Sequence, residues 1–380
     1  MLHRTPWVLA LIAVACGSPP QARDGGEGPG DASSVDGGSR ETSDASVGED
    51  AAAPDASAGQ DAGPTLPPSW CSEDDTVFGA LASPLGAGEW AELPVDDALQ
   101  ALMLHGHLTS WADSGVYDPV HRTIQWVGSP GSCCADPSAY QLLIYDVATD
   151  SWRAEETPWP DDTGHAWDGN AVDPEGGVHY FARSSSVGAW DGTSWSLLPD
   201  AGRQPIVVGL AYFESTGDLY LVGRNLFRLD GDAWTMVAPE TRFGTYHQFA
   251  EYNPLRDVAW IGAGNNRETF GFALEADGTV RPLTEAPTTL NGDGNSMKTY
   301  DPVTGDYIVQ NEAEDRWWTF DITTDTWTEI TDAIRAARPE TWSTADSAKD
   351  FVVAVGDCGV LFYLQWHDFT YRAFVYRHAS

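Results

Sequence analysis

One phrase recurs along this chain and limits what it can fold into. Tyr145-Asp146-Val147-Ala148-Thr149-Asp150-Ser151-Trp152 returns as Phe320-Asp321-Ile322-Thr323-Thr324-Asp325-Thr326-Trp327. Shorter versions are Trp190-Asp191-Gly192-Thr193-Ser194-Trp195 and Leu229-Asp230-Gly231-Asp232-Ala233-Trp234, and Leu274-Glu275-Ala276-Asp277-Gly278-Thr279-Val280 is a copy without the closing Trp. In each, an apolar run ends at Asp or Glu, a turn follows, and the chain returns on an aromatic or apolar residue, which is the pattern of a β-hairpin. The three shorter copies place Asp-Gly in the turn, which suits a tight turn that needs positive φ.

Taken at the closing position, the marks fall at 152, 195, 234, 281 and 327, with Arg281 in the fourth, so the steps are 43, 39, 47 and 46. A period of about 40 to 50 residues with several strands per unit is the pattern of a propeller blade. Further strands fill the intervals: 248–253 and 257–263 in one, 296–301 and 306–310 in the next. Their turns are Asn253-Pro254-Leu255-Arg256 and Asp301-Pro302-Val303-Thr304-Gly305, where Pro presets φ and Gly305 ends the second. Four strands per unit follow, in an all-β fold. Gly88-Glu89-Trp90-Ala91-Glu92-Leu93-Pro94 reads as a fourth strand without its three predecessors, while the stretch from Trp342 supplies strands without a marked partner. Joining them closes a ring and removes the open sheet edges. Five marked units plus this composite predict a six-bladed β-propeller closed by an N-terminal strand. Seven blades fit instead if 351–356, 360–367 and 371–377 are strands two to four of a self-contained last blade.

These motifs resemble those of the kelch-type β-propellers, the group that includes the galactose oxidase central domain. The resemblance rests on the phrase at 145–152, its relative at 320–327 and the blade period, over about residues 85–380. Val127-Gly128, Val222-Gly223, Ile261-Gly262 and Val355-Gly356 keep one glycine where that family has a pair. A copper radical oxidase of the group would need two His, two Tyr and a Cys fused to one of those Tyr, and no motif here identifies such a set.

The N-terminal part has a different character. His3 and Arg4 precede the apolar stretch from Trp7 to Val14, the length of a signal-peptide core and too short to span a bilayer. Residues 1–15 are therefore expected to be a signal peptide. Ala13-Val14-Ala15-Cys16-Gly17 resembles a bacterial lipoprotein signal, which would make Cys16 an acylated mature N-terminus and place the protein on a bacterial membrane, at the outer membrane or cell surface. Ala13-x-Ala15 equally fits ordinary secretory cleavage and a soluble secreted protein. Residues 17–69 contain no aromatic side chain and are rich in Gly, Ala, Ser, Asp and Pro, so they offer too little apolar surface to offset the entropy of ordering. They read as a disordered linker of about 40 Å mean span, with the folded domain running from 70 to 380.

The formal charge of −37 would repel phosphate backbones, which argues against nucleic acid as a partner. Residues 71–380 hold 17 basic and 47 acidic side chains, so the acidity belongs to the domain. It gives a self-repelling, monomeric surface, with a cation-steering face as the sharper reading.

With Cys16 lipidated, Cys71, Cys133, Cys134 and Cys358 remain, and an exported domain permits disulfides. Ring closure brings the lead-in near the last blade and favours Cys71 with Cys358. Cys133 and Cys134 fit a vicinal disulfide, crossed pairing or free thiols. No Cys spacing suggests zinc.

Propeller ligands meet the loops around the central channel. His107, His165 and His247 stand near the start of the first strand in three units, with Asn295 similarly placed in a fourth. Converging imidazoles could hold a transition metal, and Asp113, Asp168 and Glu251 could bring carboxylates for calcium. The blander expectation is no cofactor and ordinary polar loops. The chain has no Gly-x-Ser-x-Gly elbow, phosphate-binding Gly loop or His-Glu-x-x-His. The expected function is a tethered module that binds protein or carbohydrate; the alternative is an exported hydrolase, lyase or oxidase with its site at the channel mouth.

Overall fold

The computed structural model describes residues 70–72, 76–95, 97–103, 115–128, 141–159, 169–183, 185–202, 208–223, 225–238, 247–264, 268–290, 296–311, 314–343, 350–367 and 370–378. The expected signal peptide, Cys16, the linker, Cys133 and Cys134 lie outside these residues.

In chain order the strands are β1 (Trp90–Leu93), β2 (Val116–Asp118), β3 (Thr123–Gly128), β4 (Gln141–Asp146), β5 (Ser151–Glu156), β6 (Asn170–Asp173), β7 (Val178–Arg183), β8 (Ser186–Trp190) and β9 (Trp195–Leu197). There follow β10 (Gly209–Phe213), β11 (Asp218–Val222), β12 (Leu226–Asp230), β13 (Ala233–Ala238), β14 (Gln248–Asn253), β15 (Val258–Ala263), β16 (Gly271–Glu275) and β17 (Val280–Pro282). The last are β18 (Ser296–Tyr300), β19 (Tyr307–Asn311), β20 (Arg316–Asp321), β21 (Thr326–Glu329), β22 (Phe351–Val355), β23 (Val360–His367) and β24 (Thr370–Tyr376). They pair antiparallel into four-stranded sheets: β2 to β5, β6 to β9, β10 to β13, β14 to β17, β18 to β21, and β22-β23-β24-β1, here blades I to VI. The innermost strands touch in the cyclic order β2, β6, β10, β14, β18, β22 and back to β2. The chain is a six-bladed β-propeller.

The blade count settles between the two expectations. The segments 351–355, 360–367 and 370–376 are the first, second and third strands of blade VI, not the second to fourth. Trp90 to Leu93 supplies the fourth, in register from Trp90 opposite Tyr376 to Leu93 opposite Ala373. The seven-bladed alternative is thereby excluded.

The recurring phrase has a direct physical explanation. Its first aromatic and its Trp lie directly opposite each other on neighbouring strands, Tyr145 with Trp152 and Phe320 with Trp327. Each pair stacks with ring centroids 4.5 Å apart. The intervening Asp closes the turn: Asp146 Oδ1 accepts from the backbone N–H of Ala148 and Thr149 at 3.0 Å, and Asp321 Oδ1 from Thr323 at 2.9 Å. Asp150 and Asp325 end those turns at φ 51° and 55°. Where the repeat carries Arg281 in place of Trp, the guanidinium donates instead to Ile322 O of the next blade at 3.1 Å.

Blades bury their faces on one another through aromatic contacts. Trp260 of blade IV, 1% exposed, packs on Tyr307, Phe320 and Trp327 of blade V at 5.2, 5.0 and 5.6 Å. Trp126 of blade I meets Phe351 of blade VI at 4.4 Å, and Trp317 of blade V meets Tyr363 of blade VI at 5.8 Å. Trp126, Trp159 and Trp342, which lie outside the recurring phrase, are all buried.

The lead-in adds a helix that the repeat pattern does not predict, α1 (Val77–Ala82), capped by Thr76 Oγ1, which accepts from Gly79 N at 2.9 Å. Its Phe78 is fully buried between Trp70, Tyr145 and Phe362. A disulfide joins Cys71 to Cys358, 287 residues apart, as the closure argument expected.

Candidate binding site in the central channel

Each blade's first strand leads into its second through a turn built to one plan. Four residues after positions 118, 173, 213, 253, 301 and 355 stand Arg122, Gly177, Gly217, Asp257, Gly305 and Gly359, all at positive φ between 50° and 75°. An Asp or Asn opens four of these turns and ties down their free backbone N–H groups. Asp118 Oδ1 accepts from Val120 at 2.9 Å, Asp173 Oδ1 from Glu175 and Gly176 at 3.0 Å, Asn253 Oδ1 from Leu255 at 3.1 Å, and Asp301 Oδ1 from Val303 at 3.3 Å. The residue before the opener is Tyr in four blades: Tyr117, Tyr212, Tyr252 and Tyr300. The residue after it is Pro in four: Pro119, Pro174, Pro254 and Pro302.

Because all six turns surround the axis, this plan frames a cavity of about 370 Å³ at that end of the channel, with all six innermost strands in its wall. Val116, Ala171, Leu210, Ala211, Ala250 and Val353 make it largely apolar, the four tyrosines form an aromatic layer, and Glu214, Glu251 and Asp357 supply carboxylates. Among the described residues, the lining holds no Lys, Arg or His. Val120, Leu255 and Val303, exposed on the same turns, extend the apolar surface outward.

The polar groups are organised by their neighbours. Thr299 Oγ1 donates to Glu251 Oε1 at 2.7 Å, joining blade V to blade IV. The Tyr117 hydroxyl donates to Asp357 Oδ2 at 2.8 Å, and the Trp70 indole N–H reaches both groups at 2.9 Å. In blade III, Glu replaces the turn proline, so Glu214 has an N–H, and it donates to the Tyr252 hydroxyl at 3.3 Å. That hydroxyl donates to Asp257 Oδ1 at 3.0 Å.

Ionisation follows from burial among acids. Burial, and then the charges of Glu175, Asp257 and Asp173, hold the Glu214 carboxyl above its ordinary value. Burial and Asp173 push Tyr212 up to about 12. Tyr300 is raised further by burial and by the charges of Glu214, Glu251 and Asp357 together, so all three carboxylates act on one hydroxyl.

Of the residues singled out in the sequence, Glu251 lies in this cavity. His247, buried at φ 65°, stands just before β14, four residues and about 13 Å of extended chain from Glu251, so the two do not share a site. His107, His165, Asn295, Asp113 and Asp168 lie outside the described residues. Among the described residues, no three His, Cys, Asp or Glu side chains stand close enough to hold a metal ion. The tyrosine layer and Glu214 were missed by the sequence reading; the tyrosines stand five residues, and Glu214 three, before the positive-φ residue of their turns.

No protein-family model matches the sequence, and no curated protein matches it. Solved structures with a similar chain course include a Bacteroides thetaiotaomicron protein of unknown function, 12% identical over 77% of this chain and 73% of that one, TM-score 0.48. Virginiamycin B lyase from Staphylococcus aureus is 10% identical over 68% and 78%, TM-score 0.44. A chain of a nidogen/laminin complex is 12% identical over 58% and 79%, TM-score 0.43. At these values the fold rests on the strand pairing described above.

Proposed function

We propose that this protein is an exported, lipid-anchored, kelch-like propeller that binds a protein or carbohydrate ligand, with the channel cavity as its binding site and no chemistry of its own. The observation that carries this reading is the cavity itself. Its volume lies in the range of small-ligand sites, its wall is mostly apolar and aromatic, and its few polar groups are positioned by neighbouring blades. Tyrosine rings suit both sugar faces and inserted side chains. Glu251 and Asp357 accept hydrogen bonds from Thr299 and Tyr117, which supports a role in holding a ligand.

The test applies the full mature protein to glycan and peptide arrays, followed by calorimetry on hits and mass spectrometry of the ligand after prolonged incubation. Saturable binding that Tyr252→Ala weakens at least tenfold, with the ligand recovered intact, is the expected result. A changed ligand mass would refute the module and favour the exported enzyme. The address is tested separately: a diacylglyceryl mass on the Cys16 peptide is expected, and an unmodified N-terminus would assign the protein to secretion.

A further inference from the structure

We propose that the channel cavity receives an alkylammonium group, carried by a free amine or by a lysine side chain of a partner. This rests on the binding reading above and names the ligand chemistry of the same site.

The six-fold repeat of the turns marks two carboxylates as additions to a shared plan. At the position two before the opener, five blades carry Val116, Ala171, Ala211, Thr299 and Val353, while blade IV carries Glu251. At the position after the opener, four blades carry Pro and blade VI carries Gly356, while blade III carries Glu214. The same turn forms without either carboxylate, so neither is needed to build it. Both line the cavity.

The cavity wall carries charge of one sign. Glu214, Glu251 and Asp357 line a space in which the described residues include no cationic side chain, and all three raise the Tyr300 hydroxyl. Negative potential confined between low-dielectric walls favours a cation.

The arrangement of the wall selects the kind of cation. The described carboxylates do not converge on one point as a chelating set, which is what calcium would require. They are spread around a wall with four tyrosines, and aromatic rings attract ammonium groups. The apolar residues Ala211 and Leu210 in the wall, and exposed Val120 and Val303 on the rim turns, suit an aliphatic stem behind that group.

The experiment titrates the full mature protein with n-pentylammonium, n-pentanol and pentanoate by calorimetry at low ionic strength and pH 7. A parallel arm uses a short lysine peptide and its acetyl-lysine counterpart. The ammonium is expected to bind at least tenfold more tightly than the alcohol, the carboxylate not to bind, and the affinity to fall with added salt. Glu251→Gln and Glu214→Gln, each of unchanged shape, are expected to weaken the ammonium about tenfold while leaving the alcohol unaffected, the loss of one charged partner. Binding of the lysine peptide but not the free amine supports a protein source; binding of both supports the shared chemistry. Equal binding of ammonium and alcohol, or no binding of any cation, overturns the proposal, and both comparisons use wild-type protein, so neither depends on a variant folding. A glycan bound in the cavity without ammonium binding would sink this inference and leave the binding module standing. Conversion of the bound amine would do the reverse.

Discussion

The Cys71–Cys358 bridge offers the sharpest test of how the ring is held shut. It spans 287 residues, and the loop-entropy relation for a closed segment of that length gives about 6 kcal/mol at 25 °C, against the 2 to 5 kcal/mol common for native bridges. A loss of about 3 to 6 kcal/mol is therefore expected when it is removed. For a domain of about 300 residues the unfolding entropy is roughly 0.6 kcal/mol per kelvin, so the melting temperature should fall by about 5 to 10 °C. The measurement is calorimetry of three samples: oxidised wild type, wild type under a reductant, and the Cys71→Ala/Cys358→Ala double variant. Both cysteines are buried, at 4% and 5% exposure, so the variant loses packing as well as the bridge. The reduced wild type keeps both sulfurs in place and isolates the crosslink. If reduction and substitution lower the melting temperature alike, restriction of the unfolded chain carries the effect. A reduced protein that melts within about 1 °C of the oxidised one would refute the entropy argument and leave closure to the pairing of β1 with β24.

Two further outcomes follow from the channel. Because the folded state holds the Glu214 carboxyl above its ordinary value, the native protein binds more protons than the unfolded chain in that window, and stability falls as pH rises through it. Glu214→Gln should therefore raise the melting temperature at pH 7 and leave it unchanged at pH 3, as thermal melts across that range will show. Gly209→Ala should cost about 1 to 3 kcal/mol in urea unfolding, the usual penalty for overpacking. Its new Cβ would stand 2.6 Å from the backbone N of Ala250, where β10 and β14 approach across the channel wall.

The blades were readable because their signal is local and repeated. Tyr145 and Trp152 have to stack across one hairpin, so their spacing and the turn-closing Asp146 are visible in a single short window. Trp90 was readable for the opposite reason, as a fourth strand with no blade of its own. The channel was only half legible. Asn253-Pro254 and Asp301-Pro302 announce their turns, but blade III uses Phe213-Glu214 and blade VI Val355-Gly356, and without proline the six-fold plan dissolves into unrelated text. Backbone φ restores it, because the constraint common to all six turns is conformational. Helix α1 had no periodic signal to betray it; six residues held by Thr76 and by Phe78 in a tertiary pocket are stabilised by the blades they cover. His247 stands just before β14 and Glu251 four residues further along it, which at about 3.3 Å per residue puts them about 13 Å apart and at different depths of the channel.

The way β1 completes blade VI has a consequence for the order in which the protein can be written. Trp90 lies opposite Tyr376, so the first and last of the described strands are neighbours in one ladder. A gene that splices the segment after Tyr376 to the one before Trp90, and begins instead between Glu329 and Phe351, would encode every strand pair now present. In such a permutant the seam would move to blade VI's border and the present one would become an ordinary hairpin, leaving the circle indifferent to where translation starts.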